Sequence, residues 1–408
     1  MAYCGSTGAI MLHNYRFKNF FSFAEETEVS FELNRHVPAS DLVFESPGGT
    51  RLSKVLAAIG PNASGKTNVL KPLAFLSWFV AHSFASSKPE DEIPVQAHFF
   101  SDSANSEFEI EFEHKGQHYR YSLVINPERV VHESLHLKTS KFFSFIFRRD
   151  WSESDSGYDV RQQKFGFAAR EAEKVRPNAS LIATAAQYNV PCARELVSYF
   201  TRFYTNVNYG GRDHFKTSDV FEATEFFHGR PALRAQMSEI LSHLDLGLAE
   251  VIIESHKFVE KESGKSEEAN IPFGVHRKGK QEQKLPFWYE SSGTQAAFVL
   301  LEKILPALEQ GGIVIIDEME ADLHPDMITA MLDLFIDRER NPHNAQIIFT
   351  CHAHEILNEL QKDQVLLIEK DTNGVSEVWR LGDMKGIRRD DNLYAKYRAG
   401  AYGAVPDL

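Results

Sequence analysis

The run Gly60-Pro-Asn62-Ala63-Ser64-Gly65-Lys66-Thr67 stands between an apolar stretch at 55–59 and a helix-forming one, and constrains this chain more than any other feature. A glycine-rich turn joining a buried strand to a helix lets backbone N–H groups converge on an anion, and the helix N-terminus adds positive potential. Gly60 and Gly65 permit close backbone approach, while Asn62, Ala63, Ser64 and Asn68 belong to the same cradle. Lys66 is placed to reach terminal phosphates and Thr67 to set its hydroxyl on Mg2+. A chance glycine turn would need neither the strand before it nor the helix after it. A phosphate-binding loop in an α/β fold is therefore expected.

A second apolar strand, Ile313-Val-Ile-Ile, ends in adjacent carboxylates, Asp317 and Glu318. That pairing suits one acid that holds a metal shell and a neighbour that polarises water, so Asp317 takes the metal role and Glu318 the base. A solvated strand end is the plainer alternative; the phosphate loop upstream weighs against it. Between the two lies Glu290-Ser-Ser292-Gly293-Thr-Gln295, followed by Ala297, Leu300, Leu301, Ile304 and Leu305 on one helical face. Ser292 and Gly293 thus open a helix, where anions are attracted, although an ordinary Ser-Gly cap would read the same way. A further strand, Gln346-Ile-Ile-Phe-Thr, leads to His352, whose imidazole could donate to phosphoryl oxygens.

With 43% hydrophobic and 25% charged residues, the chain is an ordinary globular one. Its net charge of -13 argues against a broad surface for nucleic acid or anionic membrane, while leaving room for a local basic groove. Cys4, Cys192 and Cys351 are odd in number and scattered, giving neither a disulfide framework nor metal spacing. The start of the chain lacks the pattern of a secretion signal. Its most apolar helix, residues 73–85, is interrupted by Ser77, His82 and Ser83 and falls short of the roughly 20 apolar residues that cross a bilayer. A cytoplasmic protein with no membrane partner is expected.

Alternation through residues 11–31 predicts two short strands, and Phe108-Glu-Ile-Glu-Phe112 with Tyr119-Arg-Tyr-Ser-Leu123 predicts a hairpin in an inserted antiparallel sheet. Apolar residues recur at helical spacing from 180 to 244, predicting a helical subdomain. Residues 257–284, rich in Lys, Glu, Gly and Ser, read as a solvent-facing hairpin or loop. The expected division is an N-terminal lobe over 1–185, a helical subdomain over 186–255 and a C-terminal lobe over 256–408. No internal repeat or sustained heptad pattern is present.

Taken in order, the phosphate loop, Ser-Ser-Gly-Thr-Gln, acidic pair and histidine resemble the ABC ATPase superfamily. The resemblance is nearest to the SMC-related ATPases of bacterial anti-phage and abortive-infection systems (RloA-like, Septu PtuA-like and retron-associated). Asn19-Phe-Phe-Ser22, Glu133-Ser-Leu135, Ala321-Asp-Leu-His-Pro325 as a D-loop, and the tail Tyr397-Arg-Ala-Gly-Ala-Tyr-Gly-Ala-Val-Pro406 also carry it. Thr294 stands where the signature usually has Gly, and Ala353 where the family commonly has Asp.

The resemblance implies a P-loop ABC-type α/β fold with a mixed sheet, an inserted antiparallel β subdomain and a helical subdomain. It also implies ATP and Mg2+ as cofactors, with catalytic Lys66, Glu318 and His352. Ser292, Gly293 and Gln295 of one copy would close on nucleotide held by Gly60–Asn68 of another, giving a homodimer or higher homo-oligomer. A metal-shell Q-loop residue is expected at Gln187, with Gln96 the alternative. The function so implied is control of a toxic nuclease partner, since the stretch after His352 is too short for an appended nuclease domain of roughly 100 residues. The competing reading is a DNA-repair or chromosome-maintenance ATPase, which would use Arg277-Lys-Gly-Lys280 on phosphates. A transporter subunit fits least.

Overall fold

The computed structural model describes residues 10–244, 247–259, 266–321 and 323–405. Cys4, Asp322, Pro406 and residues 260–265 of the expected hairpin lie outside them.

Strand Val55–Ile59 sits inside a six-stranded sheet. In spatial order its strands are Phe203–Thr205, Ile313–Ile316, Gln346–Thr350, Val55–Ile59, Val365–Lys370 and Ser376–Arg380. All neighbours run parallel except the last pair, which is antiparallel, so the sheet is mixed. Its central strands are buried on both faces, which explains why they read as unbroken apolar runs. The period of two divides them between two cores: Leu56 and Ala58 face one, while Val55, Ala57 and Ile59 face the other.

The first core is shared with helix Lys66–Ser86 and a seven-stranded antiparallel sheet. That sheet joins Ile10–Lys18 and Thr27–Ser30 to five consecutive strands from Ser106–His114 to Gly157–Gln162. The predicted hairpin pairs His114 with Gln117 across Lys115 and Gly116, both at positive φ, as a two-residue primed turn requires. Helix Lys66–Ser86 is longer than the apolar segment expected from the sequence. Its 21 residues pass a length-and-composition test for a membrane span, but 67% of its most apolar window is buried in this core.

The helical region is not one subdomain. Helices Leu181–Gln187 and Pro191–Phe200 pack into the first core, while Thr217–His228 and Pro231–His243 join the second against helix Ser292–Gln310. Between the pairs, Phe203–Thr205 forms an edge strand of the central sheet, pairing with Ile313–Ile316. The expected boundary at 185/186 therefore cuts through one packed unit. Residues 257–284, expected as a solvent-facing hairpin or loop, fall within a three-stranded antiparallel sheet, Glu250–Val259, Ser266–Lys278 and Gln281–Pro286, which leads to helix Ser292–Gln310, so the hairpin alternative holds.

Candidate functional site

The loop from Gly60 to Thr67 is built by constraints that few side chains satisfy. A Cβ on Gly60 would lie 2.1 Å from the Ile368 carbonyl oxygen on the adjacent strand. Gly65, the residue before the helix, has φ +108, and a Cβ there would crowd the hydroxyls of Ser376 and Ser22. Ala63 also stands at positive φ. The loop is braced from behind, where Ser376 donates its hydroxyl to the Ser64 carbonyl at 2.6 Å. Asn68 donates to the Ser22 hydroxyl at 2.9 Å, which gives the Asn19-Phe-Phe-Ser22 motif a role beside the loop. Buried Lys71 places its ammonium 3.5 Å from the centre of the Phe21 ring on that same motif.

Lys66 folds over the loop, its ammonium donating to the carbonyls of Gly60 at 2.9 Å and Pro61 at 2.8 Å. Burial pushes its proton affinity down, opposed by the carboxylates of Asp317, Glu320 and Glu318. Thr67 donates its hydroxyl to Asp317 Oδ2 at 2.8 Å. Asp317 is itself buried and fixed on its other oxygen by the Thr350 hydroxyl at 2.6 Å. Asn206 clamps its backbone, accepting from Asp317 N at 2.8 Å and donating to Asp317 O at 3.0 Å.

Glu318 follows at φ +50, a conformation unfavourable for a long side chain and one that recurs at functional sites. Its N–H donates to the Thr350 hydroxyl at 2.7 Å. One carboxylate oxygen accepts from Arg212, and the other lies 3.9 Å from His352 Nε2. The His352 backbone donates to Glu320 Oε1 at 2.7 Å. Together Asn62, Ala63, Gly65, Lys66, Thr67, Asn68, Asp317, Glu318, His352 and Lys370 line a cleft of about 480 Å³.

The structure thus joins the phosphate-loop residues to the acidic pair and the histidine. Other assignments lie elsewhere. Ser292, exposed, and half-buried Gly293 begin helix Ser292–Gln310, capped by Ser291, and Gln295 donates to the Glu290 carbonyl at 2.9 Å. None of the three lines the cleft. Gln187 is exposed at the end of helix Leu181–Gln187 and does not line it either, so its placement gives no support to a metal role. Gln96 is also exposed, but its carbonyl accepts from Phe21 N at 2.9 Å, beside the motif that braces Asn68. Sequence reasoning missed Asn206, Arg212, Thr350 and Ser376, each tied to the site only through distant pairing.

Residues 57–358 match the family described as "AAA domain, putative AbiEii toxin, Type IV TA system". The chain belongs to this family. The match begins inside the strand before the phosphate loop and ends just beyond His352, so it contains every cleft-lining residue named above except Lys370. A P-loop ATPase fold follows from the family together with the phosphate loop between strand Val55–Ile59 and helix Lys66–Ser86.

Among solved structures, the SMC head bound to the C-winged helix domain of ScpA is similar at 13% identity. The match covers 90% of this chain and 96% of that one, with a TM-score of 0.46. The SMC head domain from Thermotoga maritima shows 14% identity, coverage of 90% and 98%, and a TM-score of 0.43. An Smc head domain with a coiled coil and joint from Pyrococcus yayanosii shows 12% identity, coverage of 96% and 99%, and a TM-score of 0.45. Curated proteins yield no match.

The oxygen donors brought together by Thr67 and Asp317 suit a hard cation such as Mg2+, which prefers few protein ligands plus substrate phosphates. Buried Ser64 Oγ and Glu320 Oε2, without protein partners, leave further polar capacity in and behind the loop.

Proposed function

We propose that this protein binds ATP with Mg2+ in the cleft and hydrolyses it, and that the bound nucleotide joins two copies and controls a toxic partner in the cytoplasm. The observation that carries the reading is the 2.8 Å hydrogen bond from Thr67 to Asp317, which ties the phosphate loop to the acidic strand end. Bound Mg2+ would supply neutralisation of charge on the terminal phosphates. Lys66, Thr67 and Asp317 would hold the phosphates and metal. Glu318 would take a proton from the attacking water, and His352 would donate to the phosphoryl oxygens.

The exposed N-terminus of helix Ser292–Gln310 supports closure by a second copy, because Ser292 and Gly293 stand apart from the cleft of their own chain. The toxin system named in the family description supports a toxin-linked role, and the nuclease partner is what the resemblance implies. A DNA-bound alternative draws less support, since Arg277 in the basic turn is paired with Glu250 at 3.2 Å and Glu282 at 3.0 Å.

Phosphate release by the purified chain should require Mg2+ and vanish in Lys66→Ala. Release that persists unchanged in that variant would refute hydrolysis at this site. Purification of Glu318→Gln with ATP from its native operon should retain a toxic protein partner at stoichiometric level. DNA without a protein partner would overturn the toxin-control reading.

A further inference from the structure

On the antiparallel sheet, away from the nucleotide cleft, two histidines and a glutamate converge. His13 belongs to strand Ile10–Lys18, Glu113 to Ser106–His114 and His118 to Gln117–Ile125, three neighbours in that sheet. Glu113 and His118 are direct cross-strand partners. His13 comes into reach through an irregularity: the pairing shifts between Leu12 and Asn14, leaving it as the extra residue of a bulge. Bulges re-aim side chains in this way.

We propose that His13, Glu113 and His118 form a binding site for a divalent transition metal of the zinc class. One ligand atom from each residue lies within 4.8 Å of the other two. His13 Nε2 is 3.0 Å from Glu113 Oε1, and His118 Nδ1 is 3.9 Å from that same oxygen. Ligands about 2.0 Å from a tetrahedral zinc ion stand roughly 3.3 Å apart. The observed separations bracket that value, so loading needs only small side-chain adjustments.

The outer contacts are those a metal site uses. His13 presents its other ring nitrogen, Nδ1, to Glu32 at 2.9 Å, and His118 presents Nε2 to Glu111 at 3.1 Å. Such carboxylates fix the tautomer, leaving the inward nitrogen free to ligate. Glu113 is oriented independently, accepting from the Ser46 hydroxyl at 2.7 Å and from Gly48 N at 3.1 Å. A Cβ on Gly48 would sit 2.6 Å from Glu113 Oε1, so a larger residue there would push the carboxylate from this position. His13 and Glu113 are buried, whereas Glu32, Glu111 and His118 also line an open cavity of about 650 Å³. Water entering from that side could fill a fourth position. The site would pin the first strand to the hairpin, and it stands independently of the ATPase reading.

The competing state is a metal-free ion cluster in which a protonated His13 bridges Glu32 and Glu113. The two are separated by titrating Zn2+ against a chromophoric chelator into the EDTA-treated, nucleotide-free full-length protein, with Co2+ as spectroscopic probe. One tightly bound equivalent and intense tetrahedral Co2+ bands are expected. Both should be lost in His118→Ala, chosen because His118 is the least buried of the three ligands, with an unchanged circular-dichroism spectrum and Tm of the metal-free protein as the folding control. Glu32→Gln should weaken zinc 10–100-fold by removing an outer carboxylate. Absence of a stoichiometric site in the wild-type protein, or binding that survives His118→Ala unchanged, would overturn the proposal.

Discussion

Arg212 donates to the carboxylate of Glu318, the residue proposed to act on water, from a strand 106 positions earlier in the chain. The guanidinium occupies one carboxylate oxygen while His352 approaches the other. On the proposed reading, this arrangement lets Arg212 restrain the base. Arg212→Ala is expected to raise the ATP turnover rate several-fold at saturating ATP with little change in nucleotide affinity. Turnover that instead falls, with affinity unchanged, would assign Arg212 a direct part in stabilising the reaction.

Replacing Glu318 by Gln preserves size and backbone geometry but removes the proton acceptor. A general base contributes about 10²–10⁴-fold, so hydrolysis should drop at least a hundredfold while ATP still binds. ATP-bound dimers should then accumulate, read by light scattering after size exclusion. Wild-type turnover in this variant would move the base elsewhere.

Gly60→Ala tests the loop's contact with the neighbouring strand. Its new Cβ would meet the Ile368 carbonyl oxygen at 2.1 Å, a backbone atom that cannot rotate aside. Overpacking of this kind costs about 1–3 kcal/mol. A lowered Tm and lost nucleotide binding are expected together, and a Tm equal to that of the wild type would show that the strands can part at that point.

Cys351 directly follows the central strand Gln346–Thr350 and is buried, which pushes its thiol well above the usual cysteine range. It should stay protonated and resist Ellman's reagent at pH 8, reacting only after denaturation. Half-buried Cys192, also raised by burial, should react slowly but measurably without denaturant. Fast native labelling of Cys351 would show that the strand end opens.

Features carried by contiguous residues were legible in the sequence. The phosphate loop, the acidic pair and the Lys115-Gly116 hairpin each combine a local turn with a local periodicity, and the structure places them as that pattern implies. What stayed hidden depends on pairing between distant segments. Asn206 is 111 residues from the aspartate it clamps, and the strand preceding it, Phe203–Thr205, is too short to show alternation. Helical spacing identified the segments around 180–244, but spacing cannot say which side of a sheet a helix will cover. Two of them joined one core and two the other. The His13 cluster was illegible for a related reason, since a one-residue shift in strand pairing brings it together.

Thr350 offers the most discriminating substitution, because one hydroxyl serves both acids. It donates to Asp317 Oδ1 at 2.6 Å and accepts from Glu318 N at 2.7 Å. Thr350→Val keeps the shape but leaves a buried acceptor and an N–H unmatched, at about 1–3 kcal/mol. Asp317 would then be free to rotate away from Thr67, so the Mg2+ concentration for half-maximal hydrolysis should rise about tenfold, as roughly 1.4 kcal/mol corresponds to a factor of ten. Thr350→Ser, which retains the hydroxyl, should restore the wild-type Mg2+ dependence. If Val and Ser variants respond alike, the methyl packing rather than the hydrogen bonds holds the acidic pair in place, and the metal assignment of Asp317 loses its positioning partner.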